Sequence, residues 1–352
     1  MDAALSSALG SCPVPLRNFT EVTLAHGSGG QLTADLIEHL FLPAFHNPHL
    51  AKLNDQAVLE CAGARLAFST DAFVVTPLFF PGGDIGQLAV NGTVNDLAMS
   101  GARPLFLSAA FILEEGLPLT DLTRLVHSMQ TACAAAGVTL VTGDTKVVNR
   151  GSGDQVFITT SGIGLIEHNL VISAEQARVG DAIILSGTIA DHGMAVMSTR
   201  EGLAFETAIR SDTTPLSSLV QAMLEASPAI HCLRDPTRGG VATSLHEIAR
   251  RAQLGLVIEE RTLPIREEVK GACEILGLDP LYVANEGKLI ALVDQAEAPR
   301  VLRRMHSHPD GKAAQIIGKA VAEHPGMVVM RTAIGGSRIV SPLLGEQLPR
   351  IC

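Results

Sequence analysis

The sequence predicts an α/β protein built from two domains, and two observations support this prediction. The chain has 352 residues, which is more than one ordinary hydrophobic core accommodates. Short β-branched runs alternate along the chain with longer segments of helical period, a pattern typical of α/β folds. We divide the chain into a leader at 1–20, an N-terminal domain at 21–167, a C-terminal domain at 168–340 and a mobile tail at 341–352.

Composition narrows the class of partner. Hydrophobic residues make up 47% of the chain and the formal net charge is -10, without a basic run. This charge argues against nucleic acid and against an anionic membrane surface as partners. No apolar stretch reaches the roughly 18 residues that a membrane span needs. The six cysteines are widely spaced and form no C-x-x-C or zinc-finger pattern, so we expect reduced thiols and a cytoplasmic protein.

In the N-terminal half, hydrophobic periodicity predicts three helices and five strands. The strand at 65–70 is expected to deliver Asp71 at its end. A short buried strand at 138–142 is expected to open into a loop at 143–146. The remaining predicted strands are at 57–61, 105–113 and 155–166, and the helices are at 31–40, 86–99 and 120–136.

The C-terminal half repeats this alternation, so both halves are assigned to the same class. We predict strands at 182–186, 256–259, 289–293, 315–321 and 327–330. The predicted helices are at 190–201, 216–226, 239–252, 267–276 and 298–306.

Five aspartates stand beside small residues at predicted strand or helix ends: Asp55, Asp71, Asp96, Asp144 and Asp235. Acids at such ends can converge in one cleft. Mg²⁺ binds carboxylate oxygens and keeps substrate phosphates as its other ligands, so the set suggests a magnesium nucleotide. For any one of these residues, a helix cap or a turn is the alternative interpretation.

A glycine-rich stretch, Gly27-Ser28-Gly29-Gly30, opens directly into the first predicted helix. Free amides at a helix start bind anions well. The stretch matches neither the P-loop nor the dinucleotide fingerprint, and a simple flexible turn is the alternative.

The chain ends in a thiol, Cys352, at the end of a segment that has no helical or strand period. Pro342, Gly345 and Pro349 interrupt any regular structure there, so we expect an extended arm. Fully stretched, the last dozen residues would reach roughly 40 Å. We expect a minority thiolate near neutral pH, because the pKa of a free thiol is about 8.5 and Arg350 would lower it. A cysteine that stands at the end by chance is the alternative.

Seven short segments occur in a fixed order along the chain: residues 26–30, 69–71, 92–98, 142–146, 235–240, 285–287 and 349–352. This ordered set resembles the HypE family of hydrogenase maturation proteins, within the aminoimidazole ribonucleotide synthetase superfamily. Coverage runs from about residue 22 to the last residue, and the terminal cysteine distinguishes this family from the others. A selenophosphate synthetase would carry a reactive Cys or selenocysteine and a Lys in the glycine-rich stretch, and this chain has neither. Thiamine monophosphate kinase and aminoimidazole ribonucleotide synthetase need no terminal cysteine.

The resemblance implies two α/β domains, a homodimer in which the N-terminal sheet pairs with its twin, and binding of ATP and Mg²⁺. It also implies a reaction. A HypF carbamoyltransferase would place a carbamoyl group on Cys352, and this chain would dehydrate it with ATP to a thiocyanate. Cyanide would then pass to iron on a HypC–HypD complex, for [NiFe]-hydrogenase. A carrier without enzymatic activity is the competing hypothesis, and ATP hydrolysis that depends on Cys352 would exclude it.

Carried over by position, the resemblance assigns roles to individual residues. Lys146 and Glu286 would serve proton transfer beside Cys352; a surface ammonium and a loop carboxylate are the alternatives. Mg²⁺ would be held by Asp71, Asp96 and Asp235. The nucleotide site as a whole would comprise Gly27, Ser28, Gly29, Gly30, Asp55, Asp71, Asn95, Asp96, Asp144, Thr145 and Asp235.

Overall fold

The structure is a computed structural model, and it describes residues 19–202, 209–343, 345, 348, 351 and 352. Most of the predicted leader, together with Pro349 and Arg350, lies outside these residues. Along the described chain, mixed α/β content runs through both halves, as the sequence predicts.

The N-terminal half contains one large sheet with two long helices. Its helices and strands are α1 (Gln31–Leu36), α2 (Leu42–Ala44), β1 (Ala57–Cys61), β2 (Ala64–Phe73), β3 (Phe79–Phe80), β4 (Gly83–Asp84), α3 (Ile85–Ala98), β5 (Arg103–Glu114), α4 (Leu119–Ala136), β6 (Thr139–Val148) and β7 (Val156–Ile166). Shorter pieces are the 3-10 helices Leu24–Gly27 and Leu50–Lys52 and a π-helical turn, Ile37–Phe41, between α1 and α2.

The C-terminal half is built around a second, larger sheet. Its elements are β8 (Ala182–Leu185), α5 (Asp191–Arg200), α6 (Ser217–Ala226), β9 (Ile230–Arg234), α7 (Gly240–Ala252), β10 (Gly255–Glu259), α8 (Glu267–Leu276), β11 (Ile290–Val293), α9 (Ala298–His306), β12 (Gln315–Val321), β13 (Val328–Arg331) and β14 (Ser337–Val340). Single 3-10 turns lie at Ala174–Gln176, Glu260–Thr262, Pro280–Tyr282 and Pro309–Gly311. Among the described residues, no helix has the length and apolar character to cross a membrane.

The first sheet has the strand order β1-β2-β7-β5-β6, and only β5 and β6 run parallel. Helices α3 and α4 cover one face, where Leu88, Leu125 and Ile158 are fully buried. The opposite face carries large apolar side chains that are 39–47% exposed: Phe68, Phe106, Ile112 and Ile163. One side of this sheet is therefore packed, and the other is left open within a single chain.

The second sheet has the order β14-β13-β10-β12-β8-β11-β9 and is packed on both faces. The pleat of β8 shows how the packing is divided. Ile183 and Leu185 join the core formed with α7, while Ala182 and Ile184 join the core formed with α6 and α9. Because successive side chains point to opposite faces, a strand buried on both sides reads as a continuous apolar run.

Three strand predictions were wrong in a way that matters for function. β2 continues to Phe73, so Asp71 lies inside the strand, opposite Thr160, rather than at its end. β6 runs from Thr139 to Val148 and is exposed rather than buried, because it is the edge strand of its sheet. The stretch from Gly143 to Lys146 is accordingly strand and not loop. The strands β3, β4, β9 and β14 were not predicted from the sequence.

The predicted helices are confirmed to within about one residue at most ends, and α3 is the helix that approaches the acids. Asp84 caps α3 by accepting hydrogen bonds from the amides of Gly86 (2.8 Å) and Gln87 (3.1 Å). At Gly92 the helix approaches β2 so closely that an added Cβ would lie 2.7 Å from the ring tip of Phe73. A residue without a side chain is therefore required at this crossing.

Gly92→Ala is expected to destabilise the protein by about 1–3 kcal/mol, because the added methyl overpacks this contact. Gly271→Ala in α8 is the matched control, since a Cβ there meets nothing within 4 Å. Replacing a helical glycine at an open position should stabilise the fold by up to about 1 kcal/mol. Thermal unfolding followed by circular dichroism gives both shifts. Equal midpoints for the two variants would contradict the close approach of α3 to β2.

Candidate active site

Three carboxylates from different parts of the chain meet at one point. Asp55 precedes β1, Asp96 lies in the last turn of α3, and Asp235 follows β9 directly. One carboxylate oxygen of each lies within 4.8 Å of the others. The cluster joins the two halves of the chain, because Asp235 belongs to the second sheet and the other two residues belong to the first half.

Burial dominates the electrostatics of this cluster. It raises the pKa of Asp55 to about 6 and the pKa values of Asp96 and Asp235 well above their ordinary value, and mutual repulsion adds to the effect. The positive charge of Arg234 opposes this rise in the pKa of Asp55, because Arg234 Nε lies 3.1 Å from Asp55 Oδ1. The same guanidinium also forms an ion pair with Glu247. Carboxylates this close call for a further cation, and their hard oxygen donors suit Mg²⁺.

Asp71 stands beside the cluster on the helix-covered face of β2. Its negative charge contributes to the raised pKa values of Asp55, Asp96 and Asp235. The predicted metal set was Asp71, Asp96 and Asp235, whereas the tightest group in the structure has Asp55 in place of Asp71. Ser69 donates a 2.6 Å hydrogen bond to Asp96 Oδ2 and so orients that carboxylate.

The edge strand β6 keeps Asp144, Thr145 and Lys146 away from these acids within one chain. Asp144 pairs in register with Ala110 of β5 and is separated from β2 by both β5 and β7, about 14 Å at ordinary strand spacing. Lys146 Nζ lies 3.0 Å from Asp144 Oδ2, and both side chains are mostly exposed. The hydrogen bond from Lys146 lowers the pKa of Asp144. The predicted convergence therefore holds for four of the five aspartates.

The end of the chain enters the same cleft. Ile351 forms a β-bridge with Val75, and the amide of Val74 donates a 3.0 Å hydrogen bond to the main-chain oxygen of Cys352. The thiol lines a cavity of about 80 Å³ together with Gly27, Ser28 and Arg238. The structure thus brings the glycine-rich stretch and Cys352 together in one cavity, a position of the tail that the sequence left open.

The thiol of Cys352 is not activated where it lies. Burial raises its pKa to about 12, Arg238 opposes that effect, and the charges of Glu286 and Asp71 add to it. The predicted minority thiolate near neutral pH is therefore wrong for this position of the tail. In this position the free thiol is protonated and is therefore a poor nucleophile.

Glu286 lies in the loop before β11 and is 3% exposed. Burial, followed by repulsion from Asp71, raises its pKa well above the ordinary value. Within the described chain, Oε1 of Glu286 is buried without a hydrogen-bond partner. Asp212 fixes the loop by accepting hydrogen bonds from the amides of Glu286 (3.1 Å) and Gly287 (3.3 Å). Glu286 therefore has a raised pKa and a carboxyl oxygen without a hydrogen-bond partner, as a general base needs.

Asn95 and Gly30, both predicted to belong to the nucleotide site, make close contacts within the chain. Asn95 donates to the carbonyl oxygens of Thr214 (3.1 Å) and Glu286 (3.2 Å) and accepts from the amide of Leu216 (2.7 Å). It therefore joins the two halves of the chain. Gly30 packs against Leu343, near the start of the tail, and an added Cβ at Gly30 would clash with the carbonyl oxygen of Leu343.

Sequence patterns gave no role to Arg234 and Arg238, two arginines that the described part of the chain places at the cleft. Arg238 donates to the carbonyl oxygen of Gly27 (3.2 Å), and its interaction with Cys352 raises its own pKa. The position of Arg238 within the family segment at residues 235–240 was a usable signal for a role in the site. Arg234 directly precedes that segment and is 16% exposed. Its role depends on Glu247, which lies thirteen residues away on α7.

Comparison with known proteins places the chain in two steps. Residues 53–166 match the AIR synthase related protein, N-terminal domain, and residues 178–330 match the AIR synthase related protein, C-terminal domain. The fold and the acid cleft between its halves therefore define an AIR synthase related protein with two domains.

Closer relatives fix the family. Carbamoyl dehydratase HypE of Azotobacter vinelandii is 56% identical over 337 residues, which cover 96% of this chain and 98% of that protein. A solved HypE–HypF complex contains a chain that is 50% identical, with a TM-score of 0.84 over 88% of this chain and 99% of that one. Hydrogenase maturation protein HypE in complex with ATP is 50% identical, with a TM-score of 0.79 over 94% and 100% of the two chains. The present chain belongs to the HypE family of hydrogenase maturation proteins.

Alkylation of Cys352 by iodoacetamide should keep rising about tenfold for each pH unit between about pH 7 and 10. The thiolate fraction of a group with a pKa of about 12 still grows throughout that range. A synthetic peptide of residues 341–352 is the comparison, because a free thiol with a pKa of about 8.5 levels off above about pH 9.5. Peptide mass spectrometry measures both rates. A plateau in the protein that coincides with that of the peptide would place the tail outside the cleft.

Proposed function

We propose that this chain dehydrates a carbamoyl group carried on Cys352 to a thiocyanate, with consumption of ATP, and so supplies the cyanide ligand for the iron of [NiFe]-hydrogenase. One observation carries the proposal: the thiol of Cys352 lies in the cavity that the glycine-rich stretch lines, beside Arg238 and Glu286. The printed name of the Azotobacter relative, carbamoyl dehydratase, and the ATP complex of a family member support it.

The reaction needs an activated oxygen and an acceptor for protons. An amide oxygen is a poor leaving group, so the carbamoyl oxygen attacks the γ-phosphate of ATP and releases ADP. The C–O bond then breaks as phosphate leaves, two N–H protons are lost, and S–C≡N remains. The oxygen of the removed water ends in the phosphate.

Residues of the cleft match these needs. The Glu286 carboxylate accepts a proton from nitrogen, and burial, which raises its pKa, makes it a stronger base than an exposed carboxylate. Arg238 offers guanidinium donors beside the sulfur and can stabilise the negative charge that develops on the carbamoyl oxygen. Asp55, Asp96 and Asp235 would hold Mg²⁺, with Asp71 next to them. When bound, the metal would neutralise phosphate charge during transfer.

We also propose a homodimer formed through the open face of the first sheet. Phe68, Phe106, Ile112 and Ile163 are too exposed there for a stable monomer surface. Asp144 and Lys146 extend from the same sheet, on β6. Because they lie far from the acids of their own chain, any part they play in the reaction requires the second subunit.

HypF is proposed as the carbamoyl donor, since a family member is found in complex with a protein of that name. A HypC–HypD complex is proposed as the acceptor of cyanide, on the family resemblance alone. We place the reaction in the cytoplasm, because the described cysteines are all free and no stabilising disulfide is seen among them.

Cys352→Ala should abolish two changes in the C-terminal peptide: the gain of one carbamoyl group from the donor system, and the later loss of one water with ATP. Glu286→Gln should keep the first change and slow the second by about 100-fold or more, because it removes only the base. Cys61→Ala is the control, since this cysteine is exposed and remote from the cleft. Intact-protein and peptide mass spectrometry follow both steps. Dehydration without ATP, or on another cysteine, would overturn the assignment.

Asp71→Asn and Asp96→Asn should each weaken binding of Mg·ATP by more than about tenfold while keeping the fold. Each change removes one charge from the cluster and leaves the shape of the side chain unchanged. Asp121→Asn on the surface of α4 is the matched control. Titration calorimetry gives the affinities. Wild-type affinity in both cleft variants would exclude the metal assignment.

The homodimer should scatter light as twice the chain mass of 36.9 kDa. Phe106→Glu should convert it to a monomer, because a buried, unpaired charge at the interface is costly. Leu119→Glu should leave the dimer intact, since Leu119 is 78% exposed on α4, on the opposite side of the sheet. A wild-type protein that stays monomeric at micromolar concentration would contradict the proposal.

A further inference from the structure

A buried histidine, His192, is hydrogen-bonded to the main chain of the C-terminal tail. His192 lies in the first turn of α5, has no exposed surface, and is bonded through both ring nitrogens. Nε2 lies 2.7 Å from the carbonyl oxygen of Ile351, and Nδ1 lies 2.8 Å from the hydroxyl of Ser211. The ring also meets Phe80 edge-on, with a centroid distance of 5.4 Å.

The partners of His192 determine its tautomer. The carbonyl oxygen of Ile351 can only accept, so Nε2 carries the hydrogen and donates it. Burial lowers the pKa of His192, so the ring is neutral and Nδ1 is an acceptor. The Ser211 hydroxyl must therefore donate to Nδ1, and its oxygen in turn accepts from the amide of Thr213 at 3.2 Å. These hydrogen bonds fix both the tautomer and the orientation of the His192 ring, so that Nε2–H points at the carbonyl oxygen of Ile351.

A second hydrogen bond fixes the next residue of the tail, Cys352. Val74 binds the main-chain oxygen of Cys352, while Val75 pairs with Ile351, whose side chain is 3% exposed. Consecutive main-chain oxygens are thus bound by groups from two different elements, α5 and the segment after β2. These two hydrogen bonds hold the main chain of Cys352 where this residue lines the cavity together with Arg238.

We infer that His192, oriented by Ser211, is a positioning residue for the dehydration step, holding the tail in the register that presents the Cys352 sulfur to Glu286 and Arg238. The inference rests on the proposed function. His192 touches no reacting atom, and its bond exists only when the tail is docked. It therefore acts on dehydration and on protection of the thiol, and it has no part in the transfer of the carbamoyl group from a donor protein.

The test compares His192→Phe, which keeps the ring volume but removes both nitrogens, with His192→Gln, whose amide can donate from near the Nε2 position. Single-turnover dehydration of carbamoylated protein should fall about tenfold or more in His192→Phe, and Cys352 should be alkylated faster by a similar factor. His192→Gln should recover most of both losses. The affinity for Mg·ATP and the rate of carbamoylation should stay at the wild-type values.

Two further variants protect the test against a folding defect. Ser211→Ala removes only the hydroxyl that fixes the tautomer, and it should shift both readouts in the same direction by a smaller factor. His168→Phe is the matched control, because His168 also binds two backbone groups, those of Ser100 (3.2 Å) and Leu170 (3.1 Å), and should leave both readouts unchanged.

The outcomes separate the inference from the proposed function. Unchanged alkylation of Cys352 in both His192→Phe and Ser211→Ala would overturn the role of His192, and so would a wild-type rate of dehydration in both. If the wild-type protein fails to dehydrate its carbamoyl group, the proposed function fails instead. The alkylation comparison would still decide whether His192 holds the tail.

Discussion

The structure depends on one electrostatic constraint: five carboxyl groups and a thiol share a cleft from which most water is excluded. Each charged oxygen there raises the pKa of its neighbours, and within the described chain two guanidinium groups, those of Arg234 and Arg238, oppose the effect at Asp55 and at Cys352. Such a site costs stability unless a cation completes it. The surrounding fold has to hold groups together that repel one another.

Both halves of the chain supply that restraint. Asp55, Asp71 and Asp96 come from the first half, while Asp235 and Glu286 come from the second. The side chain of Asn95 bonds across the junction, and the buried pair of Lys288 and Asp212, 3.1 Å apart, fixes the loop of Glu286. Neither sheet alone contains the site, so the geometry of the cleft is set by how the two halves are joined.

Local patterns in the sequence were enough for the class of fold and for most helix bounds, but they left the resting position of the terminal thiol open. They failed where an outcome depends on neighbours in space. The length of β2 is set by pairing with β7, and the exposure of β6 follows from its place at a sheet edge, so neither Asp71 nor Lys146 lies where local pattern put it. The pKa of Cys352 depends on burial, and the partners of Asn95 are over a hundred residues away. The domain limits at 167 and 340 stay predictions.

The docked position of Cys352 has a consequence for damage by oxidants. Peroxides attack thiolates, and the first product, a sulfenic acid, leads to irreversible acids if it is not reduced. A thiol with a pKa of about 12 in a narrow cavity presents almost no thiolate to such reagents. Burial that makes the sulfur a poor nucleophile therefore also protects it from oxidants in the docked position that the structure shows.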